Sequence, residues 1–188
     1  MRGMRPDPDP HSAVRSVMAN RPSDMQGGPG FFDETEEPKQ PRSGRELIVE
    51  ADGGSRGNPG PAAYGALVRD AQTTKVLAAE GLPIGLATNN VAEYRGLIAG
   101  LEMARELDPT AALEVRMDSR LVIEQMAGRW KVKHADMKAL ALTAARLRPV
   151  TVTWTWVPRS LNKAADALVN RALDGDPVPR HYLVDRAT

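Results

Sequence analysis

The sequence predicts an α/β domain built on a five-stranded mixed sheet, antiparallel on one side and parallel on the other, with helices packed on it. Two observations carry that expectation. "AAYGALVRD" and "KVLAAEGL" are β-compatible apolar runs around the polar turn "AQTT", the pattern of a hairpin. Beyond residue 88, helical and strand patterns alternate, as parallel strands joined by crossover helices require.

The elements follow in order. "RELIVEA" (45–51) is a short buried strand that stops at "DGG", and the hairpin comes next. After "PIGLATNN", the run "VAEYRGLIAGLEMAREL" (91–107) carries apolar residues at helical spacing and ends at "DP". "ALEVRM" (112–117) is a strand, and "DSRLVIEQMAG" is a one-to-two-turn helix ended by Gly128. "ADMKALALTAARLR" (135–148) is helical until Pro149, and "VTVTWTWV" (150–157) is a strand by propensity. "NKAADALVNRALDG" (162–175) is the last helix, with Asn162 as its cap and Gly175 past its end.

Length and charge narrow the classes. At 188 residues the chain suits one domain with tails. The net charge of +1 means that any nucleic-acid surface must be a local cluster. The absence of cysteine excludes disulfide frameworks and thiolate metal sites and suits a cytoplasmic address. No stretch is apolar for long enough to span a membrane, and the N-terminus has no apolar signal core. Residues 1–44 are dense in Pro, Gly and charge and read as a disordered arm. The folded domain is then 45–175, and 176–188 reads as a short tail docking through Tyr182 and Leu183.

Four acids stand where strands or helices would deliver them to one place. Asp52 follows the first strand and Asp118 the fourth; in open α/β sheets, sites form beyond the carboxyl ends of parallel strands. Glu93 and Asp166 each begin the core-facing stripe of a helix, where a bare carboxylate is costly. Helix N-terminal electrostatics explains either one singly but not the convergence of four. No Lys or Arg lies nearby on the same face to offset Asp52 or Glu93, so a divalent cation is the natural partner. All-oxygen ligands select Mg²⁺ or Mn²⁺. Two such ions about 3.5 to 4 Å apart would clamp a phosphodiester displacement.

"DGGSRGNPGPAAYG", "TNNVAEY", "MDSRLV" and "VPRSLNKAADAL" have the order and spacing of type 1 ribonucleases H, which this chain resembles over residues 46–174. The likeness is strongest to the compact bacterial and archaeal branch and to the ribonuclease H domain of actinobacterial phosphatase fusions. It implies a ribonuclease H-like fold, hydrolysis of the RNA strand of RNA/DNA hybrids, and metal-binding catalytic acids at Asp52, Glu93, Asp118 and Asp166. It also implies substrate contacts from Gly54, Ser55 and Asn58 of the glycine turn and from Asn89 and Asn90. Recognising RNA by its 2′-OH calls for both donors and acceptors, which those groups supply. Turn formation and helix capping are competing roles for Asn58 and Asn89. Another nuclease or strand transferase of the same fold, or a silent hybrid-binding module, stays open as an alternative. A monomer is expected.

Two departures from the family pattern matter. Many relatives carry a histidine in the loop before the last acid; here Arg159 takes the nearest position, and a permanently charged guanidinium is no general base. It can stabilise phosphate charge or speed product departure. Some relatives also insert a basic helix as a handle for the hybrid, which this chain lacks. "RWKVKH" (129–134) is the one local mixture of cations and an aromatic, so Trp130, Lys131 and Lys133 are the candidates for backbone contacts. Glu50 and Arg116 each precede a catalytic acid by two residues. Adjacent parallel strands would bring them together as a supporting ion pair.

Overall fold

The computed structural model describes residues 44–183. The arm read over residues 1–44 lies, but for Gly44, outside the described residues. Among the described residues there are six strands and four helices: β1 (Glu46–Ser55), β2 (Gly60–Asp70), β3 (Val76–Ala87), α1 (Asn89–Leu107), β4 (Ala112–Met117), α2 (Arg120–Met126), α3 (Ala135–Leu147), β5 (Val152–Trp156), α4 (Lys163–Leu173) and β6 (Val178–Tyr182). A 3₁₀ turn, Arg159–Leu161, precedes α4.

The sheet order is β5-β4-β1-β2-β3-β6. β1 pairs antiparallel with β2 and parallel with β4, so it is the seam between the two halves, as the sequence predicts. The strand number departs from the expected five. The segment read as a tail lies antiparallel along β3, with Ala79 opposite His181 and the Leu183 N–H donating to Leu77 at 2.8 Å. Pro177 and Pro179 hide this strand from a propensity reading, because proline is confined to sheet edges. The edge is where β6 sits, covering backbone groups of β3 that would otherwise lie open.

Alternation along the strands sorts the core. Leu47, Val49 and Ala51 of β1 are fully buried in one large cluster with Leu97, Leu101 and Met103 of α1 and Val115 and Met117 of β4. On the opposite face, α4 packs Ala165 and Val169 against β1, β2 and β3. α3 packs on α1. The long helix α1 therefore rests on the sheet with its N-terminus beside the carboxyl end of β1.

Candidate active site

β1 runs four residues beyond its expected end, so Asp52, Gly53 and Gly54 are strand residues facing Gly65, Tyr64 and Ala63 of β2. Two glycines let α1 reach that strand. A Cβ on Gly53 would lie 2.1 Å from the Glu93 backbone nitrogen, and one on Gly96 would lie 2.6 Å from the Asp52 carbonyl. Helix and strand thus touch backbone to backbone, and Glu93 is brought beside Asp52. A Cβ on Gly54 would meet Val169 of α4 at 2.8 Å, so this glycine too has a packing reason inside the protein.

Asp118, just past β4, completes the group: carboxylate oxygens of Asp52, Glu93 and Asp118 can all lie within 4.8 Å of one another. Asp52 is 5% exposed and Glu93 6%. Burial, with the Asp118 charge second, pushes the Asp52 carboxyl up to about 7 despite the Gly53 N–H donated to it at 2.9 Å. Glu93 is likewise raised well above its usual range, by burial first and then by Asp52 and Asp118. Its Oε2 is buried and has no hydrogen-bond partner. Three converging carboxylates, two of them desolvated and one with an orphaned oxygen, fit a hard divalent cation as the missing partner.

The fourth acid stands differently. Asp166, in the first turn of α4, adds to the charge felt by Asp52, but it is engaged elsewhere. Its Oδ1 accepts from Arg159 at 2.5 Å and its Oδ2 from Asn170 at 2.9 Å. Arg159 is exposed and feels Asp52 and Asp118 as well as Asp166.

Of the residues expected to touch substrate, Asn58 and Asn90 line one cleft and Trp130, Lys131 and Lys133 an adjoining one, while Gly54, Ser55 and Asn89 line neither. Asn58 accepts from the Asn89 backbone N–H at 3.2 Å, tying the turn after β1 to the start of α1, while Thr88 is the residue that caps the helix. Gly57 in that turn has φ +110°, a conformation that suits glycine. The Asn89 side chain reaches Glu93 at 3.5 Å, and the Ser55 hydroxyl donates to Ala87 at 2.9 Å. Asn58, Thr88, Asn90, His134 and Asp136 line a cleft of about 170 Å³. Trp130, Lys131, Lys133 and Arg129 line a neighbouring groove of about 470 Å³, and His134 and Met137 border both. Trp130 is 48% exposed, and Arg129 is tied to Glu124.

Two expectations need correction. Glu50 and Arg116 are register partners across β1 and β4, yet they form no ion pair. Glu50 accepts from Arg69 of β2 at 2.9 and 3.3 Å, and Arg116 donates to Glu114 at 2.7 Å. Each charge found a nearer partner on its own polar face. Asn162 sits at the cap position of α4 but makes no side-chain cap bond there. Its amide instead donates to Ala51 and to Asp118, both at 2.9 Å. Composition and spacing offered no signal for that role, because an asparagine before a helix reads as a cap.

The family described as reverse transcriptase-like matches residues 50–172. A bifunctional protein of Mycobacterium tuberculosis is 56% identical over 131 residues, which are 69% of this chain and 36% of that protein. The solved N-terminal RNase H domain of that protein is similar at TM-score 0.66 and 53% identity, covering 70% of this chain and 96% of that one. Ribonuclease HI of Halobacterium salinarum is 42% identical over 137 residues, 72% of this chain and 68% of the relative. LC11-RNase H1, solved in complex with an RNA/DNA hybrid, gives TM-score 0.65 at 38% identity, over 69% of this chain and 97% of its own.

Proposed function

The chain belongs to the ribonuclease H family, and from that premise we propose that it is an endonuclease hydrolysing the RNA strand of RNA/DNA hybrids with two divalent ions. The observation that carries this reading is the trio of Asp52, Glu93 and Asp118, whose carboxylates gather within 4.8 Å around an unpartnered Glu93 oxygen. Mg²⁺ or Mn²⁺ would be held by these three acids together with Asp166 and, when bound, supplies Lewis-acid stabilisation of the charge that builds on the scissile phosphate.

The chain's own residues do the rest. Asp52, raised to about 7, is protonated in a substantial fraction of the metal-free protein near neutral pH, and a divalent cation held there would favour its carboxylate form. Asn58, Asn89 and Asn90, with the backbone at Gly54 and the Ser55 hydroxyl, offer the donors and acceptors that a 2′-OH calls for. Trp130, Lys131 and Lys133 flank that cleft and would take the phosphate backbone, fixing register without reading sequence. Arg159 stands at the exposed rim, where it neutralises phosphate charge as the product leaves. Among the described residues no helix is long and apolar enough to cross a membrane. A cytoplasmic monomer is the form in which we expect this activity.

The test is cleavage of a labelled RNA/DNA hybrid with Mg²⁺, Mn²⁺ or EDTA, beside duplex DNA, duplex RNA and an Asp118→Asn protein. Metal-dependent cutting confined to the hybrid's RNA strand is the expected result. Cutting of duplex DNA, or undiminished activity in the variant, would overturn the reading.

A further inference from the structure

Asn162 is fully buried, although it is a polar residue at the start of a helix. One nitrogen, Nδ2, serves two strands at once: it donates to the carbonyl of Ala51, the residue before Asp52, and to Oδ1 of Asp118. Ala51 lies one residue past the last paired position of β1 with β4, Glu50 opposite Arg116. The amide therefore bridges the two strands where their ladder has ended and their acids begin. The backbone carbonyl of Asn162 also accepts the Asp166 N–H at 3.1 Å, so the fourth acid hangs from the same residue. The side-chain Oδ1 is buried without a partner, a cost that a helix cap has no reason to bear.

We infer that Asn162 is a positioning residue, which orients Asp118 and fixes the spacing of the carboxylates to suit divalent ions. The inference rests on the metal-dependent reading above. One amide proton anchors Nδ2 on the Ala51 carbonyl and the other engages Oδ1 of Asp118, which limits the directions in which Oδ2 of that carboxylate can point. Groups that orient metal ligands in this way commonly change metal affinity by 10- to 100-fold when removed.

The experiment compares Mn²⁺ binding by calorimetry in the full chain and in Asn162→Ser, which keeps a helix-capping side chain but is too short to span both partners. The expected result is affinity lowered about tenfold or more, a cooperative unfolding transition in EDTA that is lowered only by the lost hydrogen bonds, and a kcat recovered by raising Mn²⁺ while KM for the hybrid stays constant. Equal Mn²⁺ affinity in the two proteins would overturn the inference and leave the metal reading intact; absence of Mn²⁺ binding by the unaltered chain would overturn both. A second measurement needs no variant. In the unaltered protein the Asn162 side-chain amide resonances should exchange slowly with solvent and shift on Mg²⁺ titration, and fast exchange with no shift would count against the proposal.

Discussion

Arg159 donates to Oδ1 of Asp166 at 2.5 Å while Asn170 donates to Oδ2, so both oxygens of the acid outside the tight trio are engaged. A cation that recruits Asp166 must compete with that guanidinium. Removing it with Arg159→Ala should lower kcat on the hybrid about tenfold, through lost phosphate stabilisation, while Mn²⁺ affinity holds or improves. The pair is exposed, so thermal stability should scarcely change. Steady-state kinetics and calorimetry on one preparation check this, and a weaker Mn²⁺ affinity with unchanged kcat would refute it.

The two buried acids of the trio, Asp52 and Glu93, predict an unusual pH dependence of the metal-free protein. Asp52, raised to about 7, and Glu93, raised in the same direction, bind protons in the folded state that the unfolded chain has already released above pH about 4. Stability should therefore fall as pH rises above about 4 and through 7, with the Asp52 share of the loss complete only above its raised value. Asp70, Glu114 and Glu124 are shifted down and act in the opposite sense only at lower pH, so the window from pH 5 to 8 reads Asp52 and Glu93 against them. In EDTA the unfolding temperature should drop by on the order of 10 °C across that window. Asp52→Asn should remove its own share of the drop and leave that of Glu93, whose rise comes first from burial, and saturating Mg²⁺ should cancel both.

Gly53→Ala tests the close approach that brings Glu93 to the strand. The added methyl would start 2.1 Å from a backbone nitrogen, which cannot rotate aside as a side chain can, so α1 must lift from β1. A loss of about 1 to 3 kcal/mol or more is expected, with metal affinity falling in parallel. Gly44→Ala, which meets nothing within 4 Å, is the control and should be neutral in urea unfolding.

The parallel seam and the gathering of Asp52, Glu93 and Asp118 were legible because strand ends and helix stripes are periodic features of one short stretch each. What stayed hidden depends on competition between distant groups. The register Glu50 opposite Arg116 follows from strand order, but whether they bond depends on Arg69 arriving from the neighbouring strand and Glu114 lying two residues back. Asn162 illustrates the same limit: capping is a local preference, whereas donation to Ala51 and Asp118 joins residues 111 and 44 positions away. β6 was concealed by its prolines, although its edge position is where prolines are tolerated.

The groove holding Trp130, Lys131 and Lys133 adjoins the asparagine cleft through His134, so one duplex could lie across both. If the lysines meet phosphates, neutralising both should reduce the slope of log affinity against log salt by about 1 to 2. Binding is best measured on the Asp118→Asn protein, so that the hybrid is not consumed. An unaltered slope would assign the lysines to solvent alone. Trp130→Ala should weaken binding by about 1 kcal/mol or more without changing the slope, because stacking or packing releases no counterions.

Arg180 on β6 makes the last prediction. It pairs with Glu80 of β3, which also accepts from Tyr64, and reaches Glu102 and Glu106 of α1 at 2.7 and 2.9 Å. The three carboxylates are not equivalent. The side chains of Glu102 and Glu106 are 40% and 38% exposed and hydrate readily, whereas that of Glu80 is 4% exposed. Arg180→Met should strand the Glu80 charge and cost about 3 to 5 kcal/mol, releasing β6 and reopening the β3 edge to self-association. Adding Glu80→Gln removes the stranded charge while keeping a partner for Tyr64, so the double variant should recover a substantial part of the loss. Urea unfolding of the single and double variants, with light scattering to follow association, decides it: equal stability for both would mean that packing, and not the buried charge, holds the sixth strand.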